Sequence, residues 1–497
     1  MNQVHHDGSI APARVLRKID RRLMPLLFIT YMLSFMDKTI LSSASVFGLI
    51  EDTHLVGQQY SWVSSFFYIG FLLWQWPTNY LITRLPVAKY LAMNTLLWGT
   101  VVALTAACVN YGGLLAVRFF LGVAEANITP AFMFITTTWY TRDEIPIRTG
   151  IWFSGNSIGG LVASLLAYGI GHIEHPLRPW MWMFIILGIT TFFWGFVILL
   201  FLPDRISQAR FLNEKEISVA THRVVTAGTG RTEGATWHRE QAVECFRDPK
   251  TWHLLAIAAL TQVPNGGIQN FANLVIKSFG FTALESTLIN IPVSLISGAT
   301  VTLTGWIAGR TRNLNCILIA CVLVVSGIGS TLVYARVYHA SLGVQLLGYF
   351  LLAAGPGALP LTMSLAQTNY KGVTKKLTMT ASMFIAYCVG NIAGPHLFRA
   401  SEAPKYETSF RTILVCYALA AALALSLHVY LRRLNARRDR EEGVHGDAGL
   451  SGATPVQRQN SRTGSTEASP LMGTTVIRPE YGDDLTDWNT LGFRYRL

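Results

Sequence analysis

The sequence predicts an all-α integral membrane protein with about twelve spanning helices, grouped six and six, and both termini in the cytoplasm. Three observations carry this. Of 497 residues, 51% are hydrophobic and only 14% are charged, whereas a soluble domain carries about 25% charge. Apolar runs of the length needed to cross a bilayer recur along the chain, about 20 residues each at a 1.5 Å rise. Basic residues gather at alternate ends of those runs, the pattern of the positive-inside rule.

Taken in order, the apolar runs place helices near 23–50, 60–83, 88–109, 113–139, 148–172 and 180–202. A polar stretch from Pro203 to Lys250 follows, holding eight Lys or Arg residues. A second set lies near 251–277, 284–309, 314–335, 341–363, 376–399 and 410–432. The organisation is therefore a short N-terminal segment (1–22), a six-helix unit (23–202), a central connection (203–250) and a second six-helix unit (251–433). The remainder, 434–497, reads as a largely disordered tail, because Glu441 to Glu467 is rich in Gly, Ser, Thr, Asn and Gln. Such a composition buries too little apolar surface to fold alone.

Charge placement sets the orientation. Arg14, Arg17, Lys18, Arg21 and Arg22 precede the first run. Arg84 and Lys89, Arg142 and Arg148, and Arg310 and Arg312 mark later turns on the same side. Lys371, Lys375 and Lys376, and the run Arg432, Arg433, Arg437 and Arg438, complete that side. The opposite turns hold fewer bases, such as Arg178 and Arg336, although the last carries Arg399, Lys405 and Arg411. The net charge of +12 thus belongs to a cytoplasmic face and not to a groove tracking phosphates, which argues against nucleic acid as a partner. The partners expected instead are the lipid bilayer and a small molecule, with the chain acting as a monomer.

Pro77-Thr78-Asn79 with Thr83-Arg84 after the second helix, and Gly305 to Arg310 after the eighth, each join a helix-breaking or small group to a base, as repeated halves would. The six cysteines (Cys108, Cys245, Cys316, Cys321, Cys388 and Cys416) lie mostly in or beside apolar runs without metal-ligand spacing, so they read as small buried hydrophobes. No metal and no cofactor is expected. The first apolar run is too long for a cleavable signal and reads as an uncleaved anchor.

Ionisable groups inside a membrane cost about 2.5–3.5 kcal/mol on insertion scales, so each demands a reason. Four stand out. Asp37 and Lys38 are adjacent in the first helix, about 21 Å along it from Leu23. They point about 100° apart around the axis and need not pair. Arg118 and Glu125 share the fourth helix, seven residues apart, which puts them on one face and about 10 Å apart along it. Together the four are neutral. An entering anion leaves one uncompensated negative charge, and a proton on Asp37 or Glu125 removes it, so anion and proton bind cooperatively. The alternative is a set of structural ion pairs tying the first helix to the fourth, and for Arg118 a gating or positioning role stands beside it. Lys277, near the end of the seventh helix, reads as a snorkelling base.

Uncharged polar groups mark two further helices. The seventh carries Gln262, Pro264, Asn265, Gly266, Gly267, Gln269 and Asn270, a weakened segment of the kind that lines cavities. The eleventh carries Tyr387, Asn391, Gly394, Pro395 and His396. Ordinary interhelical hydrogen bonding is the competing account of each. No HExxH, Gly-x-Ser-x-Gly or Walker motif occurs, so an enzyme is not expected. The one Asn-x-Ser/Thr sequon, Asn127-Ile128-Thr129, falls inside the fourth helix.

Several stretches resemble the anion:cation symporter family of the major facilitator superfamily, in its fungal allantoate permease branch. RFFLGVAEANITPAF (Arg118 to Phe132) is similar to the family's fourth-helix signature, and WYTRDEIPIR (Trp139 to Arg148) continues it. PNGGIQNF on the seventh helix, Asn369-Tyr370-Lys371-Gly372 with Lys375-Lys376, GNIAGPHLF on the eleventh and the closing DLTDWNTLGFRYRL also match. The resemblance spans nearly the whole chain. It implies the major facilitator fold, two six-helix bundles with a site between them, and proton-driven uptake of a small organic anion across the plasma membrane. Relatives carry allantoate, ureidosuccinate, nicotinate, pantothenate, biotin or dipeptides.

By the same resemblance the proton sites fall on Asp37 and Glu125, with Arg118 associated with the latter. Lys38, where many relatives have Arg, contacts the substrate carboxylate. Substrate contacts are further expected from Asn265, Gln269, Asn270, Tyr387, Asn391 and His396, the last standing where many relatives have Gln. The Gly-rich loop with an Asp-Arg pair common in the superfamily is absent, and Pro77, Asn79 and Arg84 stand there. The expected function is a proton-coupled importer of a small carboxylate. An exporter of an organic acid or secondary metabolite, and a non-transporting nutrient receptor, are the alternatives.

Overall fold

The structure is a computed structural model that describes residues 12–141, 143–173, 175–226, 237–311, 313–335, 341–450, 485–490 and 493–497, with backbone only for 442–450. Arg142, Arg312 and Arg336, which entered the orientation reading, lie outside the described residues, as does 451–484.

The first bundle comprises α1 (Pro12–Val46), the short α2 (Leu49–Asp52), α3 (Gln59–Arg84), α4 (Val87–Thr105), α5 (Tyr111–Glu125), α6 (Ile128–Trp139), α7 (Ile145–Phe153), α8 (Gly155–Ile170) and α9 (Pro179–Phe201). The second comprises α12 (Pro249–Ser278), α13 (Ala283–Arg310), α14 (Asn315–Tyr334), α15 (Leu342–Leu352), α16 (Ala358–Thr368), α17 (Val373–Ala393) and α18 (Glu407–Leu450). Between them the connection folds as α10 (Glu214–Thr226) and α11 (Arg239–Arg247). Counting α5 with α6, α7 with α8 and α15 with α16, each bundle has six spans, as the apolar runs predicted. Ten of the twelve are long and apolar enough to cross a membrane; α3 and α12 are long enough but more polar.

The breaks follow from local chemistry. Pro130 has no N–H to offer the Ala126 carbonyl one turn back, and the fourth span divides there into α5 and α6. Gly355-Pro356-Gly357 forms a 3-10 turn that divides the tenth. The seventh span contradicts its expected weakness, because α12 runs unbroken for 30 residues through Pro264, Gly266 and Gly267. Those glycines admit a neighbour instead. A Cβ on Gly266 would stand 2.8 Å from the Asn391 Cα, and one on Gly394 would stand 2.3 Å from the Val263 carbonyl oxygen. It is α17 that gives way, passing into a 3-10 turn over Gly394–Leu397.

A second close crossing joins α3 to α5, where a Cβ on Gly122 would lie 2.0 Å from the Phe67 carbonyl oxygen. Small residues at such crossings let helix backbones approach in the absence of a hydrophobic driving force. Gly122→Ala is expected to lower the melting temperature of the purified protein sharply, overpacking of this kind costing about 1–3 kcal/mol or more. Gly150→Ala, with nothing within 4 Å of its added Cβ, serves as the silent control in the same thermal-shift measurement.

With an even number of spans, the N-terminal helix start, the central connection and α18 emerge on one end, here termed the terminal face. There α10 docks on the first bundle by Lys18–Glu216 at 2.5 Å and Arg223–Glu144 at 2.6 Å. In turn α11 docks on the second bundle, where the Gln241 side-chain oxygen accepts from the Thr374 and Lys375 backbone N–H groups. The stretch expected to be a largely disordered tail is also partly built. Helix α18 continues to Leu450, and 485–490 with 493–497 fold back onto the second bundle.

Candidate functional site

The four ionisable residues singled out on the first and fourth spans come together in the first bundle, Asp37, Arg118 and Glu125 buried and Lys38 partly exposed. Asp37 is 1% exposed and Glu125 likewise 1%. Lys38 Nζ stands 3.1 Å from Glu125 Oε2 and 3.2 Å from Ser34 Oγ, and the Ser34 hydroxyl donates to the same Oε2 at 2.7 Å. Ser34 and Lys38 are one helical turn apart, so α1 delivers both to the carboxylate. Asp37, rotated away from its neighbour, accepts instead from Trp98 Nε1 of α4 at 2.5 Å.

Remaining capacity is unfilled. Asp37 Oδ1, Glu125 Oε1, and Arg118 Nε and Nη2 are buried without a hydrogen-bond partner, as are both amide atoms of Asn127 in the break after Glu125. Arg118 lies with its guanidinium 5.6 Å from the Phe184 ring centre, within electrostatic reach of Asp37 and Glu125. Unpaired charged and polar atoms are costly in a membrane interior, and they are kept where a function uses them. The cluster therefore holds one closed ion pair and a set of free donors and acceptors beside it.

The second bundle answers with amides. Gln262 Oε1 accepts from Asn265 Nδ2 at 3.2 Å and Asn391 Nδ2 at 3.1 Å, and Asn391 Oδ1 accepts from Asn265 at 3.2 Å. Asn391 also donates to the Tyr387 carbonyl. The Tyr387 ring lies 6.0 Å from that of Tyr68 across the bundle boundary and within electrostatic reach of Lys38. Gln269 Nε2 is buried without a partner.

Two expected contact residues sit elsewhere. Asn270 turns its amide to the Gly266 carbonyl of its own helix at 2.7 Å, and its carbonyl accepts from Tyr60 at 2.8 Å. His396 Nε2 lies 3.2 Å from Ser65 Oγ, with its ring 4.6 Å from Trp62. Both belong to a seam between the bundles at the end opposite the terminal face. There Ser61 donates to the Pro395 carbonyl, Ser65 to the Ile392 carbonyl, and the Asn273 backbone N–H to Ser42. The seam closes that end.

Trp98 and Ser34 were missed in the sequence. Ser34 had a readable signal in its one-turn spacing from Lys38. Trp98 had none, since a tryptophan in an apolar run looks like packing. Trp98→Phe keeps an aromatic ring, although a smaller one, and deletes the N–H that Asp37 accepts. Hydrogen bonds to charged groups contribute about 1.5–3 kcal/mol, so transport is expected to fall at least about tenfold at unchanged surface abundance, read by uptake beside surface labelling.

Comparison with known proteins assigns the family. The Major Facilitator Superfamily matches residues 27–395. The chain is 33% identical to the allantoate permease of Saccharomyces cerevisiae over 497 residues, covering 97% of this chain and 86% of that one. An uncharacterized transporter of Schizosaccharomyces pombe is 35% identical over 491 residues, 97% of this chain and 87% of its own. Among solved structures, the D-xylose–proton symporter superposes with a TM-score of 0.62 at 13% identity, over 81% of this chain and 97% of that one. The inward-facing, occupied form of a bacterial homolog of the human lysosomal transporter Spinster gives 0.60 at 15%, over 82% and 96%. Helical in its described residues and related over nearly its whole length to membrane transporters, the chain is a multi-pass membrane transporter and not an enzyme. It belongs to the Major Facilitator Superfamily, in the branch that includes allantoate permease.

Proposed function

We propose that this transporter imports a small organic anion together with a proton across the plasma membrane, with both termini in the cytoplasm. The observation that carries the reading is the Lys38–Glu125 ion pair of 3.1 Å, its carboxylate buried and its lysine partly exposed, with unpartnered charged atoms of Asp37 and Arg118 in the same bundle. Lys38 is the cation a substrate carboxylate would take, and Glu125 is the anion that occupies it when the site is empty. The two acids and two bases sum to zero charge. A bound carboxylate makes the cluster negative by one, and a proton on Glu125 or Asp37 restores neutrality in a medium where an unbalanced charge is expensive.

Protonation of Glu125 also frees Lys38 from its partner, so that proton and anion promote each other's binding by the reciprocity of linked sites. Arg118, unpaired beside both acids, stabilises their ionised forms once the anion has left. The amides of Asn265 and Asn391, with Gln269 and Tyr387, supply donors and acceptors for the rest of the substrate from the facing bundle. Asn270 and His396 act in the seam and not on the substrate. With the basic terminal face in the cytoplasm, the seam lies on the outer side and the conformation is closed to the exterior. Similarity to allantoate permease points to small carboxylate nutrients as the first substrates to try.

The test is uptake of a labelled carboxylate panel that includes allantoate, in cells expressing the chain, with and without a proton uncoupler. Accumulation of one or a few acids that the uncoupler abolishes is the expected result. Uncoupler-insensitive accumulation overturns proton symport, and no accumulation from correctly surface-located protein overturns import.

A further inference from the structure

The last residues of the chain return to the terminal face of the second bundle and are held there by a built site. Asp487 is fully buried, 0% exposed, as is Lys375. Its Oδ2 accepts from Lys250 Nζ at 2.6 Å and from the Tyr495 hydroxyl at 2.9 Å, and its Oδ1 stands 2.7 Å from Lys375 Nζ. Lys250 pairs also with Asp248, and Lys375 with Glu244 at 2.7 Å. Trp488 donates to Asp248 at 3.0 Å and covers Lys375 with its ring, while Tyr370 and Tyr495 each lie 4.6 Å from Lys250 Nζ.

The backbone of the segment is read as well. Asn435 of α18 both donates to the Tyr495 carbonyl and accepts from the Tyr495 N–H, each at 2.9 Å. Asn369, before α17, does the same to Arg496 at 2.8 and 2.7 Å. The Asn315 backbone N–H at the start of α14 donates to the Leu497 carbonyl oxygen at 2.8 Å. Gly372, with φ +90°, leaves room where a Cβ would meet Gln241 at 2.9 Å and Thr486 at 3.2 Å. Residues 486–489 form a turn, closed by the Asn489 N–H on the Thr486 carbonyl at 3.2 Å, that presents Asp487 to the two lysines, while side-chain amides read the main chain of Tyr495 and Arg496.

We propose that the terminal face of the second bundle is a peptide-binding site whose ligand is this chain's own residues 485–497, anchored by Asp487 between Lys250 and Lys375. The two lysines come from different helices, α12 and α17, which also carry Gln262, Asn265 and Asn391. One carboxylate therefore ties together the ends of the two helices that form the amide half of the transport site. Burial pushes the Asp487 carboxyl up, but Lys250 and Lys375 outweigh it and hold the group below the usual carboxylate range. The inference concerns the chain's architecture and stands apart from substrate and proton coupling.

The experiment uses the protein truncated after residue 484, purified in detergent, and a fluorescent peptide of residues 485–497 followed by anisotropy. Saturable binding is expected, weakened about tenfold to a hundredfold by Asp487→Asn in the peptide. A truncated protein of unchanged helix content that binds neither peptide, or both equally, overturns the proposal. Where truncation prevents folding, the full chain decides. Thr486, buried and bonded to Glu244 at 3.0 Å, is changed to Cys in a Cys321→Ser background and exposed to a soluble maleimide. Protection with Asp487, and labelling about tenfold faster with Asp487→Asn, is the expected result; equal labelling overturns it.

Discussion

Glu125→Gln is expected to abolish proton-driven accumulation while sparing exchange of substrate down its own gradient. The carboxylate accepts from Ser34 at 2.7 Å and pairs with Lys38 at 3.1 Å. Glutamine keeps the shape and the acceptor oxygen, so Ser34 retains a partner. It cannot take a proton, and it no longer competes with an anion for Lys38. The substrate then binds without waiting for a proton, and nothing couples its movement to the gradient. Uncoupler-sensitive accumulation should fall by at least about a hundredfold, the scale of a lost buried ion-pair partner. Counterflow of labelled against unlabelled substrate should persist. Undiminished accumulation in this variant would move the coupling role to Asp37, whose free Oδ1 makes it the other acid with capacity to spare.

Lys38→Gln is the second change of large effect, and it should act on binding. It removes the cation that a substrate carboxylate would meet and leaves Glu125 ionised with Ser34 as its remaining donor. A hydrogen bond to a charged group contributes about 1.5–3 kcal/mol, so KM should rise about tenfold to a hundredfold, with the larger part of the loss in KM and not in the maximal rate. Lys38→Arg restores the charge but spreads it over a planar fork that prefers two-pronged contact. Partial recovery of uptake by Arg, and none by Gln, is the expected pattern from concentration-dependent uptake corrected for surface abundance. An unchanged KM in Lys38→Gln would remove Lys38 from the substrate's path.

The spans were legible because the bilayer imposes a length and a polarity that leave direct marks in sequence. Apolar runs of about 20 residues and bases at alternate ends were enough to count twelve helices and to divide them six and six. The charged residues of the site were legible for the same reason, since Asp37, Lys38, Arg118 and Glu125 stand out against an apolar background. What was not legible is partnership. The neighbours Asp37 and Lys38 go to different partners, Trp98 and Glu125, because a step of one residue turns the helix by about 100°. Pro264-Asn265-Gly266-Gly267 looked like a break, yet its small residues serve packing against α17, which is the helix that ends early.

The closing segment shows the same division most clearly. The polar composition of Glu441 to Glu467 assigned 434–497 largely to disorder, because such a tail has no core of its own. Residues 485–490 and 493–497 borrow one, and Asp487 meets the Lys250 side chain 237 positions away and the Lys371 backbone N–H 116 positions away. The sequence by itself determined the membrane class, the number of spans and the identity of the costly charges, since each is set by transfer of single residues or short runs out of water. Only the tertiary structure decided which charges pair, which polar groups seal the bundles and which part of the tail is docked. Those depend on distances between segments remote in the chain, and no local spacing encodes them.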